Sequence, residues 1–253
     1  MMLAVSATLP NLEANRPPII LVHGAASSAA IWMFWQQGLA THGWSSYALD
    51  LRGHGRSHPL NLSHTSMQDY AADIRVLATQ FARPPIVIGW SMGGLVAMMT
   101  AAAGLVTGCI GLAPSTPARH PNNSAVIRTG EFGPEEYGIT SRDPAHQPAM
   151  PDLDHEERLI ALASLGRESR FARDERQRGI VIESLPCPLL IITGTNDKQW
   201  PRERYTELWL AADHLTADGA SHWGLVLNRR VLATVIPAVL QWIERTVSRH
   251  KAF

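Results

Sequence analysis

The chain has 253 residues, and its 22 Lys and Arg residues balance 22 Asp and Glu residues, so the formal net charge is zero. This length fits one α/β domain, with or without an insertion. Only 17% of the residues are charged, below the usual ~25%, and there is no basic stripe or acidic tail, so nucleic acid is not an expected partner.

The two cysteines, Cys109 and Cys187, lie in or beside apolar runs. This placement predicts reduced thiols and a cytoplasmic location. No apolar stretch approaches the ~18 residues of a membrane span, and residues 1–10 lack the basic leader and long apolar core of a signal peptide. A membrane is therefore not an expected partner.

Strand-like and helix-like segments alternate along the chain. The apolar run 19–22 predicts a buried strand, and Ser27 or Ser28 can cap a helix that reaches about residue 42. The later predicted elements are strand 44–49, helix 67–81 with Ser66 as a candidate cap, strands 86–88, 109–113 and 189–192, helix 203–210, strand 213–216, and helix 226–247 with Pro237 as a candidate kink or break. The alternation predicts a mostly parallel sheet with helices on both faces.

Residues 115–184 interrupt this alternation. Their first half is rich in proline, and their second half is rich in Asp, Glu and Arg. Apolar residues between 159 and 165 form a stripe, and Arg170, Asp174 and Arg178 at i, i+4 spacing predict an exposed second helix. Because open α/β sheets bind ligands at their carboxyl edge, we expect a helical cap there; the alternative is a solvated decoration remote from the site. The predicted domains are a core of residues 1–114 and 185–253 and a cap, or lid, of residues 115–184.

A turn between a strand and a helix places Ser91 at its apex. The β-branched strand leads into Gly89-Trp90-Ser91-Met92-Gly93, and a segment of helix-forming residues follows. A nucleophile on such a turn stands clear of the sheet, and small residues on either side let strand and helix backbones pass closely. The alternative is a Gly-rich turn that holds an inert, solvated serine.

A nucleophilic serine needs a base, and the base needs an orienting acid. Downstream of Ser91, Asp197 follows strand 189–192 and His222 precedes the last helix, which gives one expected chain order of serine, acid and histidine. The weaker candidates are His120, His146, His155 and His214 as base and Asp213 and Asp218 as acid.

An oxyanion that develops during acyl transfer needs hydrogen-bond donors. The backbone N–H of Met92, directly after the nucleophile, is the first expected donor. The second is the N–H of Ala25, in the loop that follows strand 19–22. His23 in that loop is expected to be structural.

Five segments, in order along the chain, resemble the α/β-hydrolase superfamily. They are His23-Gly24, residues 50–57, residues 89–94, residues 194–197 and Ser221-His222. The resemblance implies an α/β-hydrolase fold, with a mostly parallel sheet flanked by helices, a helical cap insertion and a shortened N-terminal strand region. A serine at the elbow excludes the haloalkane dehalogenase and epoxide hydrolase branches, which carry Asp there.

Two resemblances within the superfamily point to different reactions. Trp90 before the serine resembles bacterial carboxylesterases such as the pimeloyl-carrier-protein methyl ester esterases. The pair His222-Trp223 resembles the carbon–carbon bond hydrolases of aromatic-ring breakdown, although those usually carry Asn before the serine. Lys follows the histidine in plant hydroxynitrile lyases, and this chain departs from them there.

The sequence therefore predicts a serine hydrolase that cleaves carboxylic esters of small to medium apolar substrates through an acyl-enzyme, without a metal or organic cofactor. The predicted substrate-binding residues are Trp32, Trp90, Trp200 and Trp223, which favour an apolar ester or lactone over a sugar or a charged group. The alternatives on the same triad are a lactonase, a carbon–carbon bond hydrolase, and a cofactor-free perhydrolase or acyltransferase. A non-catalytic protein that binds a small ligand is the alternative outside enzymes. A monomer or a homodimer is expected.

Overall fold

A computed structural model describes residues 2–11 and 15–247. The strands are β1 (Val5–Thr8), β2 (Ile19–Val22), β3 (Ser46–Leu49), β4 (Ile86–Trp90), β5 (Gly108–Leu112), β6 (Glu131–Phe132), β7 (Glu168–Ser169), β8 (Leu189–Gly194) and β9 (Asp213–Ala217). Seven of them form one sheet in the order β1-β3-β2-β4-β5-β8-β9, and β6 pairs with β7 in a separate antiparallel ribbon. Within the large sheet only β1 runs antiparallel to its neighbour, so the predicted fold class is confirmed.

Helices cover both faces of the sheet. They are α1 (Met33–Thr41), α2 (Met67–Ala78), α3 (Met92–Ala102), α4 (His155–Ser164), α5 (Arg170–Arg178), α6 (Gly224–Leu227) and α7 (Arg229–Trp242). Side chains alternate along β2, so that Ile19 and Leu21 pack with α1, α6 and α7, whereas Ile20 and Val22 pack with α2 and α3. Ser66 caps α2 through a reciprocal capping box with Asp69, as expected from the sequence. None of the described helices has the length and apolarity needed to cross a bilayer.

The helix predicted over 203–210 is wrong. Only a 3-10 turn, Arg202–Tyr205, forms there. The side chains of Leu208, Trp209 and Leu210 all pack into one apolar cluster, which lies between the sheet and helices α2 and α3. Three consecutive residues of an α-helix point in different directions, so an irregular backbone serves this packing better.

The C-terminal helix divides at Asn228, not at Pro237. Asn228 ends α6, and its side chain accepts hydrogen bonds from the N–H groups of Arg230 and Val231 to cap α7. Pro237 lies inside α7 on its exposed side. The carbonyl of Ala233, which loses its helical partner to the proline, is also on an exposed residue, so water can satisfy it.

Residues 115–184 contain α4, α5, the β6–β7 ribbon and a 3-10 turn at Pro134–Tyr137. The second helix predicted here forms as α5, but it is not exposed as expected, because Asp174 is buried and accepts two hydrogen bonds from the guanidinium of Arg128. A bidentate pair of this kind is stronger than an i, i+4 pair on a solvated helix. The segment packs against the loop after β2, where Gly166 N–H donates to Ala26 O at 3.0 Å.

Candidate active site

Ser91 forms a strained elbow between β4 and α3. Its φ of +55° lies in the left-handed region, which is unfavourable for a residue with a Cβ. Two hydrogen bonds of 2.9 Å hold it there: Ser91 N–H donates to Leu112 O, and Ser115 N–H donates to Ser91 O. The strain therefore presents the Ser91 side chain at the carboxyl end of the central strand β4.

Two glycines allow the backbones around this elbow to approach. A Cβ at Gly89 would overlap the Gly93 carbonyl, and a Cβ at Gly93 would overlap the carbonyls of Val22 and His23. Strand β4, helix α3 and the loop after β2 are thus in direct backbone contact. This contact brings the loop that carries Ala25 beside the nucleophile elbow.

Asp197 and His222 are joined by a hydrogen bond of 2.7 Å between Oδ2 and Nδ1. The second carboxylate oxygen of Asp197 accepts from the N–H groups of Gln199 at 3.0 Å and Trp200 at 2.9 Å. Burial alone would raise the pKa of Asp197, but the His222 contact and these donors lower it below its ordinary value. An ionised Asp197 assigns the proton to Nδ1 of His222 and leaves Nε2 available as a base.

Trp90 supports His222 from below the cavity. Its Nε1–H donates to the His222 carbonyl at 3.0 Å, and the two rings have centroids 5.0 Å apart. Trp223 packs on the other side of Trp90, with ring centroids 4.7 Å apart. The indole thus positions the backbone that carries His222.

Ser91, Asp197, His222 and Ala25 lie on the wall of one cavity of about 390 Å³, a size typical of small-molecule sites. Trp90, Trp200 and Trp223 also line it. Residues 115–184 add further lining residues, among them Tyr137, Ile139, Pro148, Ala149, Leu165 and Arg176. Within the described chain the Ser91 hydroxyl forms no hydrogen bond to His222, an arrangement that often tightens only when substrate binds.

The two predicted oxyanion donors are the backbone N–H groups of Met92 and Ala25. Met92 is the first residue of α3, so its N–H has no partner inside the helix. The neighbouring N–H of Ala26 is occupied, because it donates to the Glu168 carboxylate at 3.0 Å. Ala25 precedes it and faces the cavity, as expected of an oxyanion donor.

Comparison with known proteins agrees with this architecture. The sequence profile of the alpha/beta hydrolase family matches residues 19–234. The chain belongs to the alpha/beta hydrolase family. Among solved structures it is similar to a monoacylglycerol lipase from Paleococcus ferrophilus, with a TM-score of 0.67, 21% identity and coverage of 98% of this chain and 99% of that one. A thermophilic esterase from Thermogutta terrifontis gives a TM-score of 0.68 at 18% identity, covering 96% of this chain and 93% of that one.

Sequence relatives of this alpha/beta hydrolase include two kinds of methyl esterase. Protein phosphatase methylesterase 1 from Mus musculus is 35% identical over 101 residues, which cover 38% of this chain and 26% of that protein. Pimeloyl-(acyl-carrier protein) methyl ester esterase from Photorhabdus laumondii is 31% identical over 179 residues, 67% of this chain and 60% of that protein. The chain thus spans about a quarter of the first relative and three fifths of the second.

The structure places Trp32 away from the site. Its side chain is fully buried in the core against Trp35, with ring centroids 6.0 Å apart, and it is not among the cavity residues of the described chain. A large apolar side chain near a loop is more often packed into the core than exposed to a ligand. Trp32 directly precedes α1 and packs with that helix in the core.

The weaker acid and base candidates also lie elsewhere. His146 pairs with Asp143 on the surface, and Asp213 accepts from the indole of Trp242. Asp218 accepts from the hydroxyl of Thr195. In the part of the chain that the structure describes, no three His, Cys, Asp or Glu residues are grouped to hold a metal ion.

His23 is structural, as expected. Its Nδ1 donates to Gly24 O at 2.8 Å, and its Nε2 accepts from the Leu51 N–H at 3.2 Å. Burial, followed by the charge of nearby His54, lowers the pKa of His23 to about 4. The ring is therefore neutral and braces the loop that carries Ala25.

Glu168, which sequence reasoning missed, anchors residues 115–184 to this loop. It is fully buried and accepts from Ala26 N–H at 3.0 Å and from the Tyr70 hydroxyl at 2.6 Å, and it faces His54 Nε2 at 3.4 Å. Burial would raise the pKa of Glu168, but His54 and the hydrogen bonds lower it to about 2, and Glu168 in turn raises the pKa of His54. The pair is therefore ionised, with His54 positive, at pH values below the ordinary histidine pKa.

A second anchor reaches the loop that carries Ser221 and His222. Asp152 Oδ2 accepts from Ser221 N–H at 3.0 Å and from the side-chain amide of Asn228 at 3.2 Å. A Cβ at Gly224 would overlap this carboxylate, so the glycine permits the close approach. Residues 115–184 therefore contact both loops that flank Ser91.

Proposed function

We propose that this alpha/beta hydrolase is a serine carboxylesterase that cleaves esters of small to medium substrates through an acyl-enzyme. The observation that carries the proposal is the 2.7 Å Asp197–His222 hydrogen bond on the wall of the cavity that also holds the strained Ser91. The esterases named among its relatives support an ester as the substrate. Because both sequence relatives are named for methyl esters, a short alcohol is the proposed leaving group.

In the proposed mechanism the Ser91 hydroxyl attacks the ester carbonyl while His222 Nε2 takes its proton. Asp197 stabilises the resulting imidazolium and holds the ring in place. The N–H groups of Ala25 and Met92 stabilise the tetrahedral oxyanion, each contributing about 3 kcal/mol. His222 then protonates the leaving alcohol, and water attacks the acyl-enzyme with His222 again as base.

Residues 115–184 are the proposed cap of this active site, because they help to line the cavity that holds Ser91. A reducing, cytoplasmic location is part of the proposal, since Cys109 is buried as a free thiol and Cys187 is half-buried as another.

Covalent labelling with a fluorophosphonate tests the proposal. We expect the wild-type protein to be labelled at Ser91 and to hydrolyse p-nitrophenyl butyrate, and Ser91→Ala to lose both properties while it stays folded. Ser124→Ala removes an exposed serine in residues 115–184 and serves as the matched control. Hydrolysis by Ser91→Ala at the wild-type rate would refute the nucleophile, and a wild-type protein that neither reacts nor hydrolyses any ester or lactone would favour a ligand-binding role.

A further inference from the structure

Helix α5 brings one arginine without a carboxylate partner to the cavity. Arg170, Arg173 and Arg176 recur at intervals of three and so lie along one side of the helix. Glu136 forms ion pairs with both Arg170 and Arg173. Among the described residues no carboxylate oxygen lies within 4.0 Å of Arg176, and Arg176 lines the cavity that holds Ser91.

The contacts that Arg176 does make are with neutral groups. It donates to the Tyr137 hydroxyl at 2.9 Å and to the Ser115 hydroxyl at 3.4 Å. Its Nε is buried and meets no acceptor in residues 2–11 and 15–247. Burial raises the pKa of Tyr137, so its oxygen accepts from Arg176 while its own hydrogen remains able to donate to an anion.

The nearest carboxylates are already engaged. Glu168 interacts electrostatically with Arg176, but it faces the positive His54 and accepts from Tyr70 and Ala26. Asp197 lines the cavity and is held by His222. Of the charged residues that line the cavity, Arg176 and the exposed Lys198 are positive and Asp197 is negative, so the lining carries an excess of one positive charge.

Arg176 is linked to the Ser91 elbow through Ser115. Its contact Ser115 donates a backbone hydrogen bond to the Ser91 carbonyl at 2.9 Å. An anion held by Arg176 would thus lie in the same cavity as an ester that is attacked by Ser91. An apolar surface that includes Ile139 and Leu165 completes this wall, as suits a hydrocarbon spacer.

We propose that Arg176, with Tyr137, is a carboxylate-binding subsite and that the natural substrate is a half-ester, which carries a free carboxylate besides its scissile ester. A planar guanidinium matches a carboxylate with two parallel hydrogen bonds, and the Tyr137 hydroxyl supplies a third. This inference rests on the proposed esterase function and replaces the uncharged substrate expected from the sequence. Arg176 is not adjacent to any catalytic motif in the sequence, so only the fold reveals it.

The test compares monomethyl adipate with methyl hexanoate, which have the same chain length and differ by the terminal carboxylate. A second pair, carboxymethyl butanoate and ethyl butanoate, places the carboxylate in the alcohol half. We expect wild type to have a higher kcat/KM for the anionic ester of at least one pair. Arg176→Gln should reduce that anionic-to-neutral ratio roughly 10- to 100-fold, the range for loss of a charge-assisted hydrogen bond.

Arg178→Gln is the matched control, because Arg178 ends the same helix, contacts Asn123 and lies outside the cavity. Its anionic-to-neutral ratio should equal that of wild type. Should Arg176→Gln fail to fold, inhibition of the wild-type enzyme replaces it: adipate should inhibit more strongly than hexanoate, and added salt should reduce the difference.

Two failures are distinguishable. A wild-type protein that hydrolyses none of the four esters contradicts the esterase function itself. Ser91-dependent hydrolysis of the neutral esters, with no anionic preference in either pair or with a ratio unchanged in Arg176→Gln, overturns the carboxylate subsite alone.

Discussion

The substitution Glu168→Gln removes the charge that anchors residues 115–184 to the loop that carries Ala25 and Ala26. The shape of the side chain is kept, but His54 loses its counter-ion and one oxygen that accepts hydrogen bonds becomes a donor. Lowering the pKa of Glu168 from 4.5 to about 2 corresponds to about 3 kcal/mol of folding free energy. Because the group is fully buried, solvent does not screen this contribution, and breaking such a pair typically costs ~3–5 kcal/mol.

The pH dependence of this loss has a defined sign. The ionised Glu168 stabilises the fold fully above pH 4.5, and the contribution is lost as the pH falls toward 2. The raised pKa of His54 stabilises the fold below the ordinary histidine value, and that contribution is lost as the pH rises through the raised value. Both groups are charged at pH 6, so the ion pair contributes nearly in full there.

Urea unfolding at pH 6 and pH 3.5 measures the difference. We expect Glu168→Gln to lose about 3 kcal/mol at pH 6. At pH 3.5 the contribution of the Glu168 ionisation is about 1.5 kcal/mol smaller, but the variant then also buries a protonated His54 without its counter-ion, which adds a cost. Glu183→Gln, at an exposed position of the chain, should change stability by less than about 0.5 kcal/mol at either pH. A loss below about 1 kcal/mol at pH 6 would refute the ion-pair reasoning.

Three further predictions concern the elbow, the acid and the last helix. Asp197→Asn should lower kcat by about 10⁴-fold with little loss of stability, because the amide favours the wrong tautomer of His222; a loss under tenfold in ester hydrolysis contradicts its role. Gly93→Ala should reduce the yield of folded, labelled protein, since its Cβ would overlap two backbone carbonyls; Gly166→Ala, with no atom within 4 Å of the added Cβ, is the control, and equal yields would argue against the close packing. Pro237→Ala should raise Tm, because it restores a hydrogen bond in an exposed helix interior and can gain up to ~3 kcal/mol; an unchanged or lower Tm would show that α7 is adapted to the proline.

The positions along the chain of the main parallel strands and of the elbow could be predicted, because the sequence signals for them are local. A β-branched run followed by Gly-x-Ser-x-Gly determines strand, turn and helix within nine residues. Asp197 and His222 follow from the same logic, since each stands beside a predicted strand or helix at the carboxyl edge. Their catalytic roles remain predictions, but the structure brings them together with Ser91 on one cavity wall.

Features that depend on distant contacts could not be predicted. Arg176 faces the cavity because Tyr137 and Ser115 receive it, and neither contact has a mark in the sequence. Because Trp32 is near a loop, the sequence favours it as a substrate-binding residue. In the structure it packs in the core beside α1. The sequence indicates a kink or break at Pro237. The helix continues through it because the carbonyl four residues earlier is exposed and can bind water.

The two anchors at Glu168 and Asp152 have a consequence for engineering. Exchange of residues 115–184 for the corresponding segment of another family member is an obvious way to alter selectivity. Such a chimera would also remove the carboxylates that brace the Ala26 and Ser221 backbones. A graft that retains these two acids and their spacing should keep turnover, whereas one that omits them should lose turnover and selectivity together. Exchange of residues 115–184 is therefore expected to change substrate selectivity and turnover together.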